Sequence, residues 1–249
     1  MNPGSAAPFL VSIVVPAYNE ELLLGPTLES IKQAATVFRD RGWDYELVVC
    51  DNNSTDRTPT IASDAGARVI FEPVNQIGKA RNRGASASVG QWLIFVDADS
   101  HPSRELFVDV ARAISSGDCI AGGVTLRMET PSRLGRLAVA FWNRVSRAFR
   151  LLAGSFIFCE ARTFRDLGGF DESLYASEEI DLSSRLKRAG RTQDKRLVIL
   201  TAHPLLTSSR KVHLYSLREH LTVVLKALLT GKRSLRDPKH CATWYDGRR

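Results

Sequence analysis

The chain has 249 residues, 44% hydrophobic and 24% charged, enough to bury a core, and its net charge of +7 suits a phosphate-bearing ligand or an anionic membrane surface. It has no aromatic-interleaved basic motif for nucleic acid, no run near the ~20 apolar residues of a membrane span, and no basic and apolar leader in MNPGSAAPFL. Its scattered cysteines, Cys50, Cys119, Cys159 and Cys241, predict neither a disulfide framework nor a zinc site, and a reducing, cytoplasmic setting follows.

Val11–Val15 is an apolar run of strand length. Thr27–Phe38 places Leu28, Ile31, Ala35 and Phe38 at helical spacing. Glu46–Cys50 is a second strand, closed by the polar turn Asp51–Arg57, and Arg68–Phe71 is a third. Gly78–Ser88 reads as a helix of small residues, and Trp92–Val96 is a fourth strand, ended by Asp97-Ala98-Asp99. Strands alternating with helices predict an α/β fold, a mostly parallel sheet with helices on both faces. Such sheets bind ligands at the carboxyl ends of their strands. Polar clusters follow three of these strands: Tyr18, Asn19 and Glu20; Asp51 and Asn52; Asp97 and Asp99.

The second half is less regular. Cys119–Met128, Ser155–Glu160 and Leu197–Ala202 read as strands, Ser177–Ala189 and His213–Leu229 as helices, with a loose polar tail after Gly231. Ser132–Leu152 is a basic amphipathic segment with Arg133, Arg136, Arg144, Arg147 and Arg150 and no acid. Two readings stand for it. Its apolar stripe packs on the sheet, or it lies in a lipid interface as a peripheral membrane contact.

Two carboxylates at i and i+2 after a strand suit a hard divalent cation that completes its shell with water and diphosphate oxygens. Gly78–Gly84 is basic and opens a helix, a place that favours anions. VSIVVPAYNE, VVCDNNSTDRT, GKARNRG, WLIFVDADS and SEEIDLSSRLKRAG occur in that order over about three quarters of the chain. Together they resemble the successive blocks of the family 2 glycosyltransferases.

That resemblance implies a GT-A fold and inverting transfer of a sugar from a nucleoside diphosphate donor, with Mn2+ or Mg2+ as cofactor. It implies one domain, residues 1–249. A nucleotide-sugar half covers about 10–101, an acceptor and catalytic half about 102–212, and a helix and tail about 213–249. Pro16, Ala17 and Tyr18 would line the nucleoside pocket beside Glu20, with Asp51 and Asn52 at the base edge. Arg81 would approach the base or diphosphate, with Lys79 beside it. Asp97 would face the ribose, with Ala98 between it and Asp99, the metal ligand. Glu179, or its neighbour Glu178, would be the general base, and His203 a second metal ligand. Ser208, Arg210 and Lys211 would close over the diphosphate.

Two departures from the family pattern matter. Asn52 stands where the family often has a second Asp; its amide oxygen suits the single N3–H of uracil better than guanine's paired donors, which favours a UDP-sugar. Glu179 stands for the usual Asp and reaches one methylene further. The acceptor is left open, a lipid-linked or polysaccharide hydroxyl among the options. A retaining GT-A enzyme and a non-catalytic nucleotide-binding protein with a degenerate site remain alternatives; a nucleotidyltransferase would need a glycine-rich loop where Pro16-Ala17-Tyr18 stands.

Overall fold

The structure is a computed structural model that describes residues 9–128 and 133–208. The expected helix at 213–229, the tail, Arg210, Lys211 and Cys241 lie outside the described residues.

The first half alternates as its apolar runs require: β1 (Leu10–Ala17), α1 (Leu24–Arg39), β2 (Asp44–Asp51), α2 (Thr58–Asp64), β3 (Arg68–Phe71), α3 (Ile77–Ala87) and β4 (Trp92–Val96). Then follow β5 (Ser100–His101), α4 (Arg104–Ser115), β6 (Cys119–Met128), α5 (Arg133–Phe149), β7 (Phe156–Glu160), α6 (Ala161–Asp166), α7 (Glu178–Thr192) and β8 (Arg196–Thr207). One sheet runs through both halves in the order β3-β2-β1-β4-β7-β6-β8-β5. The expected parallel pairing holds across β3, β2, β1 and β4. Beyond β4, β7 is antiparallel to both neighbours, and β6 pairs β8 in parallel.

Side chains of a strand alternate between faces. Val11, Ile13 and Val15 of β1 enter one core with Leu28, Ile31 and Phe38 of α1 and Phe107 and Val110 of α4. Val14 enters the opposite core with Ala85 of α3, Phe164 of α6, and Leu182 and Leu186 of α7. A Cβ on Gly84 would lie 2.5 Å from Val14 Cγ1, so glycine is what lets α3 approach β1. That approach sets the depth of Arg81, one turn earlier on the same helix.

α2, α4 and α6 carry no expectation from the sequence reading. The signal for α4 is present: the Ser103 hydroxyl caps it by accepting from Leu106 N at 3.2 Å, and Leu106, Phe107, Val110, Ala111 and Ile114 recur at helical spacing. Cys50, Cys119 and Cys159 are buried free thiols. No helix among the described residues is long and apolar enough to cross a membrane.

Candidate active site

The loops after β1 and β2 are stitched to each other. Asn19, at φ 50, accepts from Thr55 N at 2.8 Å, and its own N–H donates to Ser54 Oγ at 3.0 Å. Glu20 N donates to Thr58 Oγ1 at 2.7 Å, and the Asp51 carboxylate accepts from Ser54 N at 3.1 Å. Asn52 Nδ2 donates to the carbonyls of Glu72 and Val74, at 3.3 and 2.5 Å. Pro16, Ala17, Glu20, Asp51 and Asn52 are buried, and Tyr18 is half-buried at the rim.

Arg81 joins what the chain keeps far apart. Its Nη1 donates to Glu178 Oε1 at 2.6 Å, and its Nη2 to Asp97 Oδ1 at 2.9 Å and to Gly154 O at 2.8 Å. The Phe170 ring lies 5.3 Å from the guanidinium carbon. Only 1% of Arg81 is exposed. The sequence reading sets Arg81 near the base or diphosphate; in the structure its guanidinium is buried and bonded to Asp97 and Glu178. Burial opposes its charge, but Asp97, Glu178 and Glu179 outweigh that and hold it above the ordinary arginine range. Burial and several partners are the conditions under which a charged group is retained inside a protein.

Glu178 and Glu179 open α7, where helix N-termini favour carboxylates. Ser177 precedes them in the left-handed region, φ 62, and its carbonyl accepts from Ile180 N at 3.1 Å. Glu178 is buried against Arg81, while Glu179 is half-buried. Burial and then the adjacent Glu178 charge push the Glu179 carboxyl well above the usual carboxylate range, against the pull of Arg81. A carboxylate held so is a stronger base than an ordinary glutamate.

The turn after β4 is held at several points. Thr27 Oγ1 donates to Ala98 O at 2.8 Å, Ser100 N to Asp97 O at 3.1 Å, and Asp97 N to Ser155 O at 3.1 Å. Ser208 N donates to Asp99 O at 3.1 Å, so the end of β8 meets the acid turn. Asp97 and Asp99 are half-buried, and Ala98 between them is buried. Lys79 is partly exposed on the first turn of α3.

The position of His203 differs from the expectation. It lies within β8, not after it, where the ladder with β6 shifts register between Val124 and Leu126. Pro204 beside it has no N–H for the ladder. The irregular stretch turns the imidazole onto α4, where Nδ1 meets Asp109 Oδ2 at 2.8 Å. Among the described residues no three His, Cys, Asp or Glu side chains form a metal cage. Asp99 with its neighbour Asp97 fits a hard cation that takes its remaining ligands from a diphosphate and water, the usual magnesium arrangement.

The carbonyls of Gly154 and Ser155 engage Arg81 and Asp97, and neither residue carries an expectation from the sequence. Their contribution is backbone, which leaves no side-chain signal in a sequence.

The model of the family described as Glycosyl transferase family 2 matches residues 12–164. A PGL/p-HBAD biosynthesis glycosyltransferase of Mycobacterium bovis is 37% identical over 132 residues, 49% of this chain and 49% of that protein. The chain spans between 28% and 49% of the length of the curated relatives it matches. A mannosyltransferase from Pyrobaculum calidifontis, solved with GDP-Man and Mn2+, has a TM-score of 0.65 at 18% identity, covering 94% of this chain and 68% of that one. Staphylococcus aureus TarS 1–349, solved with UDP-GlcNAc, has a TM-score of 0.62 at 18% identity over 96% of this chain and 71% of its own. At these identities the structural likeness is one of fold, and that fold is GT-A.

Proposed function

The chain belongs to glycosyl transferase family 2, and from that premise we propose that it transfers a sugar from a nucleoside diphosphate donor to an acceptor hydroxyl with inversion. The observation that carries this reading is Arg81, which ties Asp97 at the donor end of β4 to Glu178 beside the basic Glu179. A donor-side acid and an acceptor-side base are thereby held at fixed separation around one buried cation.

Glu179 removes the proton of the acceptor hydroxyl. That oxygen forms the new bond to the anomeric carbon from the face opposite the diphosphate, while the bond from that carbon to the diphosphate oxygen breaks and its electron pair leaves with the nucleotide. One displacement inverts the centre and needs no covalent enzyme intermediate. A Mn2+ or Mg2+ ion held by Asp99 would offset the charge that develops on the departing diphosphate. Asp97 fixes the ribose side, and Lys79 adds positive charge near the phosphates.

Asn52 favours uridine in this proposal. Its amide N–H groups face the carbonyls of Glu72 and Val74, which leaves its oxygen to accept the single N3–H of uracil. Neighbours of the same fold were solved with both UDP-GlcNAc and GDP-Man, so the base is a property of this chain's own loop. We place the enzyme in the cytoplasm, with no nucleic-acid partner.

The test is a panel of UDP- and GDP-sugars with the purified protein, with and without Mn2+, scored for donor turnover and for the anomeric configuration of the product. UDP-sugar turnover that EDTA abolishes and that Asp99→Ala loses, with inverted product, is expected. Full turnover in EDTA overturns the metal, retained configuration overturns the mechanism, and nucleotide binding with no turnover of any donor overturns the activity.

A further inference from the structure

The exposure of the α5 side chains bears on the two readings of the arginine-rich segment. α5 sets Gly135, Asn143 and Ser146 toward the protein, with Val139, Trp142 and Val145 half-buried, and leaves Leu137, Phe141 and Phe149 to solvent. Gly135 and Ser146 are buried. Asn143 anchors the helix by bonding both backbone groups of Leu126: its Oδ1 accepts from Leu126 N, and its Nδ2 donates to Leu126 O, each at 2.9 Å. Leu137, Phe141 and Phe149 are instead 66%, 68% and 66% exposed. Leu137, Phe141 and Ala148 share one stripe at 100° per residue, and Arg133, Arg136, Arg144 and Arg147 run along one edge of it, all exposed. Residues 133–150 contain no acid. The expectation that this stripe packs on the sheet is corrected at Leu137 and Phe141.

We propose that α5 is an interfacial anchor that docks on an anionic lipid surface, with Leu137 and Phe141 entering the headgroup boundary and the arginines meeting lipid phosphates. An apolar stripe with a cationic edge is what such a surface accepts. Charge argues against the other occupants. Residues 209–249 carry ten Lys and Arg against three Asp and Glu, a charge that does not complement a row of arginines. A second copy would bring the same arginines face to face. The convex helix offers no groove for a partner side chain, whereas a fluid interface moulds to it. The helix also ends close in sequence to Gly154 and Ser155, the backbone partners of Arg81 and Asp97, so the anchored surface adjoins the candidate site. The inference rests on α5 alone and not on the transfer reading.

The experiment is co-sedimentation of the full-length protein, without donor, with phosphatidylglycerol-containing and with pure phosphatidylcholine vesicles at low and high salt. Binding is expected only with the anionic lipid, and salt should weaken it. Arg144→Ala and Arg147→Ala should each weaken it about fivefold, and Phe141→Ala on the order of tenfold, with unchanged circular dichroism. A fluorophore on Phe141→Cys, in a Cys241→Ser background because the other three cysteines are buried, should shift to the blue on adding anionic vesicles. No binding to anionic vesicles at low salt, or binding indifferent to Phe141→Ala, overturns the proposal. A probe already blue-shifted in vesicle-free solution also overturns it, naming another segment of the chain if the shift is independent of protein concentration and a second copy if it grows with concentration.

Discussion

At the carboxyl ends of β1 and β2, two adjacent loops bond to each other through neutral side chains, backbone amides and a few exposed acids. Asn19 reaches Ser54 and Thr55, and Glu20 N reaches Thr58, so each bond spans 35 to 38 residues. At the carboxyl end of β4 the polar groups come from further apart and most are charged. Arg81 bonds Glu178 across 97 residues and Gly154 across 73. The first arrangement spreads its contacts over several bonds between two loops. The second balances one buried cation against acids that repel each other, so removing any member changes the state of the rest.

The largest effect should come from Arg81→Met, which keeps volume but strands Asp97 and Glu178 without their cation. Breaking a buried pair in this way costs roughly 3–5 kcal/mol, and urea unfolding should show it alongside loss of transfer. A wild-type midpoint would mean that the acids do not depend on Arg81.

Glu179→Gln tests the acceptor side alone. Turnover should fall by about 10²–10⁴-fold while donor affinity, read by nucleotide titration, stays near wild type. If turnover persists in this variant and is lost in Glu178→Gln, the base is the preceding residue.

A smaller change separates charge from contact. Glu179 has a raised pKa, so its basic form accumulates only as pH rises above the ordinary glutamate range, and kcat/KM should fall at higher pH on acidification than for an unperturbed glutamate. Glu178→Gln removes the like charge and leaves Arg81 to favour the Glu179 carboxylate, so the acidic limb should move to lower pH. A limb that moves up, or stays, would break the link between the two acids.

The smallest effect should come from the first region. Asn52→Asp deprives the carbonyls of Glu72 and Val74 of their donor and sets a carboxylate against them, which costs about 1–3 kcal/mol. Differential binding of UDP and GDP should change more than unfolding does. An equal loss for both nucleotides would show that Asn52 supports the loop without reading the base.

Legibility in the sequence follows the same division. β1 through β4 repeat a strand, a turn and a helix with buried faces, so hydrophobic period and turn chemistry placed them within a few residues. Helix ends differ from the expectation in both directions: α1 begins at Leu24 rather than Thr27, with Leu24 buried in the core, and α5 ends at Phe149 rather than Leu152. β8 runs past the expected Ala202 to Thr207, since its far end pairs with β6 and β5 across a register shift that no local pattern announces. α5 reads as amphipathic in the sequence, but periodicity states only that two faces differ, not which one meets the protein. Asn143 on Leu126, a tertiary bond, settles that.

By itself the sequence determined the alternation of elements, the acids at the ends of β4 and at the start of α7, and the basic cluster on α3, because these depend on residue type and short spacing. Tertiary structure alone decided that Arg81 bonds Asp97 and Glu178, that His203 bonds Asp109, and that Leu137 and Phe141 of α5 face outward. Each of these is a choice of partner for a side chain with several chemically suitable ones. Proximity between distant segments makes that choice, and it arises only when the helices pack on the sheet.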